Sequence, residues 1–384
     1  MNASPLLDHF PLVPSPEVSQ SIHVALFGVG GVGAELLDQI ERSRASIEGQ
    51  LGLKVEIFAI ANSTRLLITK GHQPQDWLEL LELAPVTTTP TQLLVQYAQD
   101  HYLERLVFVD ATASAHLTNF YPELVREGFS LVAANKIANT RSYHWYRQLR
   151  ALLKEGRQTF LYETNVGASL PLIETIQNLY RTGDRVQKIR GVFSGSLSYI
   201  FNEFSGRNIP FSQVIREAQD RGLTEPDVRE DLSGQDVARK LLILARELGF
   251  HLEISDVTVE NLIPESLSEL STEEFHSRVR ELDREFDTRK RLQKWDHVLR
   301  YVGELSSDGT LSVRLVSVPA ETRLGRLSGS DSQFEITTER YREQPLVIQG
   351  AGAGNEVTAA GVLADLLKVG SYVVGRGRLG LNEN

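Results

Sequence analysis

Residues 22–40 constrain the fold more than any other stretch. IHVALF (22–27) is a short apolar run that meets a glycine, the pattern of a strand buried on both faces. GVGGVG (28–33) follows and sets Gly28, Gly30 and Gly33 at G-x-G-x-x-G spacing. Leu36, Leu37 and Ile40 then recur with helical period. Strand, glycine turn and helix together form the dinucleotide fingerprint. Its first glycine permits the tight turn, its second lets the backbone approach a pyrophosphate, and its third lets helix and strand pack closely. Gly28, Val29, Gly30, Gly31, Val32 and Gly33 are therefore the candidate cofactor cradle, with a ligand-free glycine turn as the alternative.

Further apolar runs repeat the theme. VEIFAIAN (55–62), LVFVDAT (106–112) and SLVAAN (130–135) read as strands, separated by helical patterns such as 91–101 and 117–127. Strands alternating with helices predict an α/β fold with a Rossmann-like, doubly wound parallel sheet. The second strand ends Ala61-Asn62-Ser63-Thr64-Arg65, with no carboxylate to accept from a ribose 2′-hydroxyl. That favours NADP, or tolerance of NADP and NAD alike, and makes Asn62 a candidate contact. Arg65 reads equally well as a phosphate partner or as a solvated loop charge. Asp110-Ala111-Thr112 closes the third strand, which places Thr112 near the nicotinamide ribose.

After about residue 155 the texture changes. FLYET (160–164) reads as a strand, 171–181 as a helix opened by Pro171, and another helix starts near Leu197. Residues 265–294 are rich in charge and serine, with Phe275, Val279, Leu282 and Phe286 at the spacing of one surface amphipathic helix. Residues 345–367 read as strand, glycine-rich turn and long helix. At 384 residues the chain is long enough for two domains. The expected division is a nucleotide domain over 20–155, completed by 345–384, and an α+β substrate and dimerisation domain over 156–344. Residues 1–19, with four prolines and no basic start, are expected to be a flexible leader on a cytoplasmic protein.

Composition removes several classes of function. A formal charge of −10 disfavours a phosphate-tracking surface, so nucleic acid is not an expected partner. No apolar run approaches the ~18–20 residues of a membrane span. The chain has no cysteine, which excludes disulfides, thiolate metal sites and the cysteine nucleophile of acylating semialdehyde dehydrogenases.

The segment AQDRGLTEPDVREDLSGQDVARK (218–240) gathers six carboxylates before one lysine, Lys240. Gly234 is expected to precede a helix with Val237, Leu241, Leu244 and Leu248 as its buried stripe. Asp236 and Lys240 then stand four apart, so both can reach one cavity. On spacing alone, a surface ion pair of about 0.2–0.5 kcal/mol accounts for them as well.

The same segment closely resembles the homoserine dehydrogenase signature, GYTEPDPRDDLxGxDVARK, with departures at Leu223, Val228 and Glu230. The resemblance extends to VAANKIANT (132–140), YETNVGASLP (162–171), FSGSLSYIFNEF (193–204) and QGAGAGNEVTAAGVLADLL (349–367). It looks closest to the dehydrogenase half of bifunctional aspartokinase–homoserine dehydrogenases, without a kinase segment, so regulation through one is not expected. The resemblance implies interconversion of L-homoserine and L-aspartate 4-semialdehyde by a homodimer. It makes Lys240 the general acid–base and puts Lys136 beside the nicotinamide and the reacting oxygen, two ammonium groups that would repel each other. Glu225 and Asp236 would hold the ammonium and hydroxyl ends of the substrate, and Gly195 and Ser196 its carboxylate, while Asp231 would support the lysines. Gly354 would approach the dinucleotide, a plain helix-start turn being the alternative. Glu163, Val166, Ala168 and Leu170 match a loop that binds a monovalent cation, Na+ or K+, mainly through backbone oxygens. The rival outside enzymes is a silent NADP-binding sensor, which intact Lys136, Glu225, Asp236 and Lys240 speak against.

Overall fold

The computed structural model describes residues 20–69 and 76–380; the leader expected over 1–19 lies outside them. β1 (Gln20–Phe27), β2 (Leu53–Ala61), β3 (Leu66–Ile68), β4 (Leu106–Asp110), β5 (Ser130–Ala133) and β6 (Phe160–Leu161) build the first sheet in the order β3-β2-β1-β4-β5-β6. Every pairing is parallel except that of β2 with β3. β1 explains why its run is apolar throughout. Ile22, Val24 and Leu26 pack with Leu36, Leu37 and Ile40 of the Gly31–Leu51 helix, and with Val362, Leu366 and Val369 of the Asn355–Gly380 helix. Ala25 and Phe27 point the other way, into the core that holds Leu94, Tyr121 and Leu149. Alternation buries one set on each face. The strand order reverses between β1 and β4, and a crevice for ligands opens at the carboxyl ends of such neighbours.

The second sheet holds β7 (Val186–Val192), β8 (Val257–Val259), β9 (His297–Ser306), β10 (Leu311–Pro319), β11 (Ser332–Thr338) and β12 (Leu346–Gly350), in the order β12-β11-β7-β9-β10-β8. Its pairs are antiparallel except β8 with β10. The Gly195–Gly206 and Gln235–Glu247 helices cover it. The result is a doubly wound sheet joined to an α+β unit.

Three expectations need correction. β6 pairs with β5 in the first sheet, so that sheet continues past residue 155. β12, expected to complete the nucleotide domain, pairs with β11 in the second sheet, and only the Asn355–Gly380 helix returns to the first. Residues 265–294 form three short helices, Glu265–Ser268, Thr272–Arg278 and Asp283–Leu292, with a 3-10 turn over Val279–Leu282. The cause is local. Ser271 accepts from the Glu274 N–H while the Glu274 carboxylate accepts from the Ser271 N–H, a capping box that starts a new helix. Phe275, Val279, Leu282 and Phe286 still share one buried face, with Phe286 stacked on Phe211 at 3.7 Å.

Candidate active site

The glycine turn leaves β1 where the crevice begins. Gly28 has φ +96°, and a Cβ there would lie 2.7 Å from the Ala111 carbonyl. A Cβ at Gly33 would stand 1.9 Å from the Gly28 oxygen, so the helix packs on the turn only because that residue is glycine. A Cβ at Gly30 would meet nothing within 4 Å, which leaves open space where a pyrophosphate approaches. Gly30 caps the Gly31–Leu51 helix without a side-chain hydrogen bond. These residues form a cradle that fits a dinucleotide. Val29 and Val32 pack against the core of the first sheet, and Gly31 lies against the Asn355 side chain.

At the end of β2 the Asn62 Oδ1 accepts from the Thr64 and Arg65 N–H groups at 2.9 and 2.8 Å, so Asn62 shapes the turn. The Arg65 guanidinium donates to the Ala84 carbonyl. At the end of β4 the buried Asp110 accepts from the Thr112 N–H at 2.8 Å, the Tyr121 hydroxyl at 2.7 Å and Asn135 Nδ2 at 3.0 Å. Burial raises the Asp110 pKa, and these donors offset part of the rise. Asn135 Oδ1 in turn accepts from the Ile137 N–H, so Asp110 fixes the Thr112 and Lys136 turns together.

A cleft of about 580 Å³ runs between the two sheets. Val32, Thr112, Lys136 and Ala168 line it, as do Gly195, Ser196, Glu225, Asp231, Asp236, Lys240 and Gly354. The sequence-predicted substrate residues thus converge with Thr112 and Gly354. At the centre, the Asp236 carboxylate stands between two lysines: Lys240 Nζ is 2.8 Å from Oδ2 and Lys136 Nζ is 3.4 Å from Oδ1. The repulsion expected between the two ammonium groups is bridged by a carboxylate. Desolvation alone would raise the Asp236 pKa, but Lys240 and Lys136 outweigh it and hold the carboxyl well below the usual carboxylate range. Lys240 is only 8% exposed and also donates to the Phe193 carbonyl at 2.8 Å.

Ser194 caps the Gly195–Gly206 helix by accepting from the Leu197 N–H. The Ser196 hydroxyl donates to Asp231 Oδ1 at 2.6 Å, and Asp231 Oδ2 accepts from the Glu225 N–H at 2.9 Å. Burial raises the Asp231 pKa, and burial with neighbouring Asp231, Glu230 and Asp236 raises that of Glu225.

The loop expected to bind a cation places Glu163 differently from an open ligand. Its carboxylate accepts from the Ile173 and Glu174 N–H groups at 2.7 and 2.9 Å and so caps the Leu172–Arg181 helix. Burial pushes its pKa up to about 7. The Glu163 carbonyl accepts from Val166 N–H and the Leu170 carbonyl from Leu172 N–H. Among the described residues, no cluster of three or more His, Asp or Glu side chains suits a metal ion.

Sequence reasoning missed Phe193, whose carbonyl holds Lys240, and Asn355, which packs on the glycine turn. Both adjoin motifs that were read, FSGS and GAGAGNE, but neither contact leaves a trace in local spacing.

The strand order, the glycine cradle and the cleft define an α/β protein of the NAD(P)-binding class. Residues 28–163 match the family model for the homoserine dehydrogenase NAD-binding domain, and residues 171–367 match the model for homoserine dehydrogenase. The chain is 38% identical over 365 residues to a homoserine dehydrogenase of Schizosaccharomyces pombe, covering 92% of this chain and 96% of the relative. It is 42% identical over 352 residues to a bifunctional aspartokinase/homoserine dehydrogenase of Haemophilus influenzae, covering 90% of this chain but 42% of that one. The chain therefore spans well under half the length of such bifunctional relatives. A Candida auris protein of unknown function has a crystal structure similar at TM-score 0.81 and 34% identity, over 91% of this chain and 98% of that one. The chain belongs to the homoserine dehydrogenase family. Among the described residues, no helix is long and apolar enough to cross a membrane.

Proposed function

We propose that the chain interconverts L-homoserine and L-aspartate 4-semialdehyde with NAD(P), favouring NADP, in the biosynthesis of threonine, methionine and isoleucine. It acts as a cytoplasmic homodimer. The first sheet and the Asn355–Gly380 helix take the cofactor, and the second sheet with its helices takes the substrate and the dimer contacts. The observation that carries this reading is the Lys136–Asp236–Lys240 bridge, set in the cleft that Thr112 and Gly354 also line.

A dinucleotide held in the glycine cradle of residues 28–33 would supply the hydride donor or acceptor for the substrate C4. Lys240 gives a proton to the carbonyl oxygen during reduction and removes it from the alcohol during oxidation. Asp236 aims Lys240 at the substrate oxygen, and orients Lys136 toward the same oxygen. Glu225 receives the substrate ammonium, while the N–H groups of Gly195 and Ser196, at a helix start, receive its carboxylate. Asp231 holds the Ser196 hydroxyl and the Glu225 N–H, which fixes both binding turns. The preference for NADP is supported by the lack of a carboxylate after β2. A monovalent cation would be held by the loop of Glu163, Val166, Ala168 and Leu170, mainly through backbone oxygens, a reading supported by the match of YETNVGASLP to the family's loop.

The test is turnover by the purified chain in both directions, L-homoserine with NADP+ and L-aspartate 4-semialdehyde with NADPH. Turnover of both is expected. Tight NADPH binding with neither reaction would replace this reading with the sensor.

A further inference from the structure

Lys136 and Lys240 reach Asp236 from different halves of the molecule. Lys136 follows β5 of the first sheet, whereas Lys240 and Asp236 ride the helix that covers the second. Something must hold these halves in register, because a displacement of about 1 Å in a catalytic group costs roughly a hundredfold in rate.

Beside the Tyr162 hydroxyl, which donates to Glu247 of the Lys240 helix, the polar ties between them run through Arg246, six residues beyond Lys240 on the same helix. Its side chain is 1% exposed. Nη1 donates to the carbonyls of Asn139 and Arg141, both at 2.8 Å, at the end of the Ile137–Thr140 helix that starts directly after Lys136. Nε and Nη2 donate to the Leu252 carbonyl at 3.2 and 2.8 Å, and Nη2 also meets Glu253 at 3.2 Å. Glu253 accepts from the Tyr143 N–H at 2.7 Å, and the rings of Tyr143 and Tyr146 lie against the guanidinium. Asn139 is gripped a second time: its Nδ2 donates to Asn165, its Oδ1 accepts from Arg150, and Asn165 donates to the Ala133 carbonyl of β5. One planar fork therefore joins the Lys240 helix to the far end of the Lys136 turn. Lysine, with a single ammonium, cannot reproduce that set of acceptors.

We propose that Arg246 is a positioning residue, which locks the Lys136 turn onto the Lys240 helix and so sets the spacing of the lysine pair across Asp236. The proposal rests on the dehydrogenase reading for its kinetic arm, but its structural arm does not. Burial elsewhere in the core would stabilise the fold without moving Lys136.

Arg246→Lys tests it through two readouts. kcat per folded site should fall about tenfold or more, while the KM for NADPH stays within about threefold. Acetylation of Lys136, followed by mass spectrometry with exposed Lys294 as reference, should speed up about threefold or more as its turn loosens. A folded variant with unchanged Lys136 labelling overturns the proposal, whether or not kcat falls, because any effect would then bypass the lysine. Faster labelling with kcat within twofold of the wild type overturns it too. If the wild type itself shows no turnover, the dehydrogenase reading fails and the labelling alone decides. If Arg246→Lys does not fold, Glu253→Gln decides on the same two readouts, with losses of about two- to fivefold expected because only one of the fork's partners is weakened.

Discussion

Asp236 shows how a single residue decides between two readings. Four residues before a lysine on a helix, it looks like half of a surface ion pair, and its side chain is indeed 44% exposed. What the spacing omits is Lys136, one hundred residues earlier in the chain, and only folding brings it to the same carboxylate. The pairing of Asp236 with Lys240 was therefore legible, and the bridge was not. A pH dependence follows from it. A carboxyl whose folded pKa is depressed contributes stability that is fully present above its unfolded value of about 3.9 and is lost as pH falls through the folded one. Thermal midpoints of the wild type and Asp236→Asn should therefore differ by a constant amount from pH 7 to about pH 5. The wild-type advantage should shrink as pH falls below about 4. An advantage that does not change with pH would contradict the bridge.

At the scale of elements, legibility followed how local each cause was. β1, its glycine turn and the next helix could be read because each step depends on neighbours in sequence. β12 could not be assigned to its sheet, because a strand meeting a glycine turn looks the same whichever sheet it joins. Residues 265–294 kept the predicted apolar face while the helix broke: a capping box at Ser271 starts one segment, and a 3-10 turn over Val279–Leu282 divides it from the next. The strand–turn–helix unit makes a paired prediction. Gly30→Ala should fold with an unchanged thermal midpoint yet weaken NADPH binding about tenfold or more, because its methyl enters only the open cradle. Gly33→Ala should lower stability by roughly 1–3 kcal/mol, because its methyl collides with the Gly28 carbonyl. Fluorescence titration with NADPH and thermal melts check both. The same loss of binding and of stability in the two variants would mean that the turn has no open face.

For the whole molecule, the chemistry lies where two sheets meet. The first supplies the cradle, Thr112 and Lys136; the second, with its helices, supplies Ser196, Asp236 and Lys240. Neither half holds all of the proposed site, so the proposed reaction depends on how the halves dock, and no local pattern records that. The resemblance to homoserine dehydrogenases supplied the roles, and the fold brought most of those residues into one cleft. Of the cation loop, Ala168 lines that cleft, while the Glu163 side chain caps the Leu172–Arg181 helix.

The central claim is that Lys240 moves the proton. Its most direct test is NADPH oxidation with L-aspartate 4-semialdehyde by Lys240→Ala, compared with the wild type at equal folded concentration, alongside NADPH affinity. The account predicts a loss of at least about a hundredfold in kcat with affinity for NADPH within about threefold. A variant that turns over within a few fold of the wild type would contradict it.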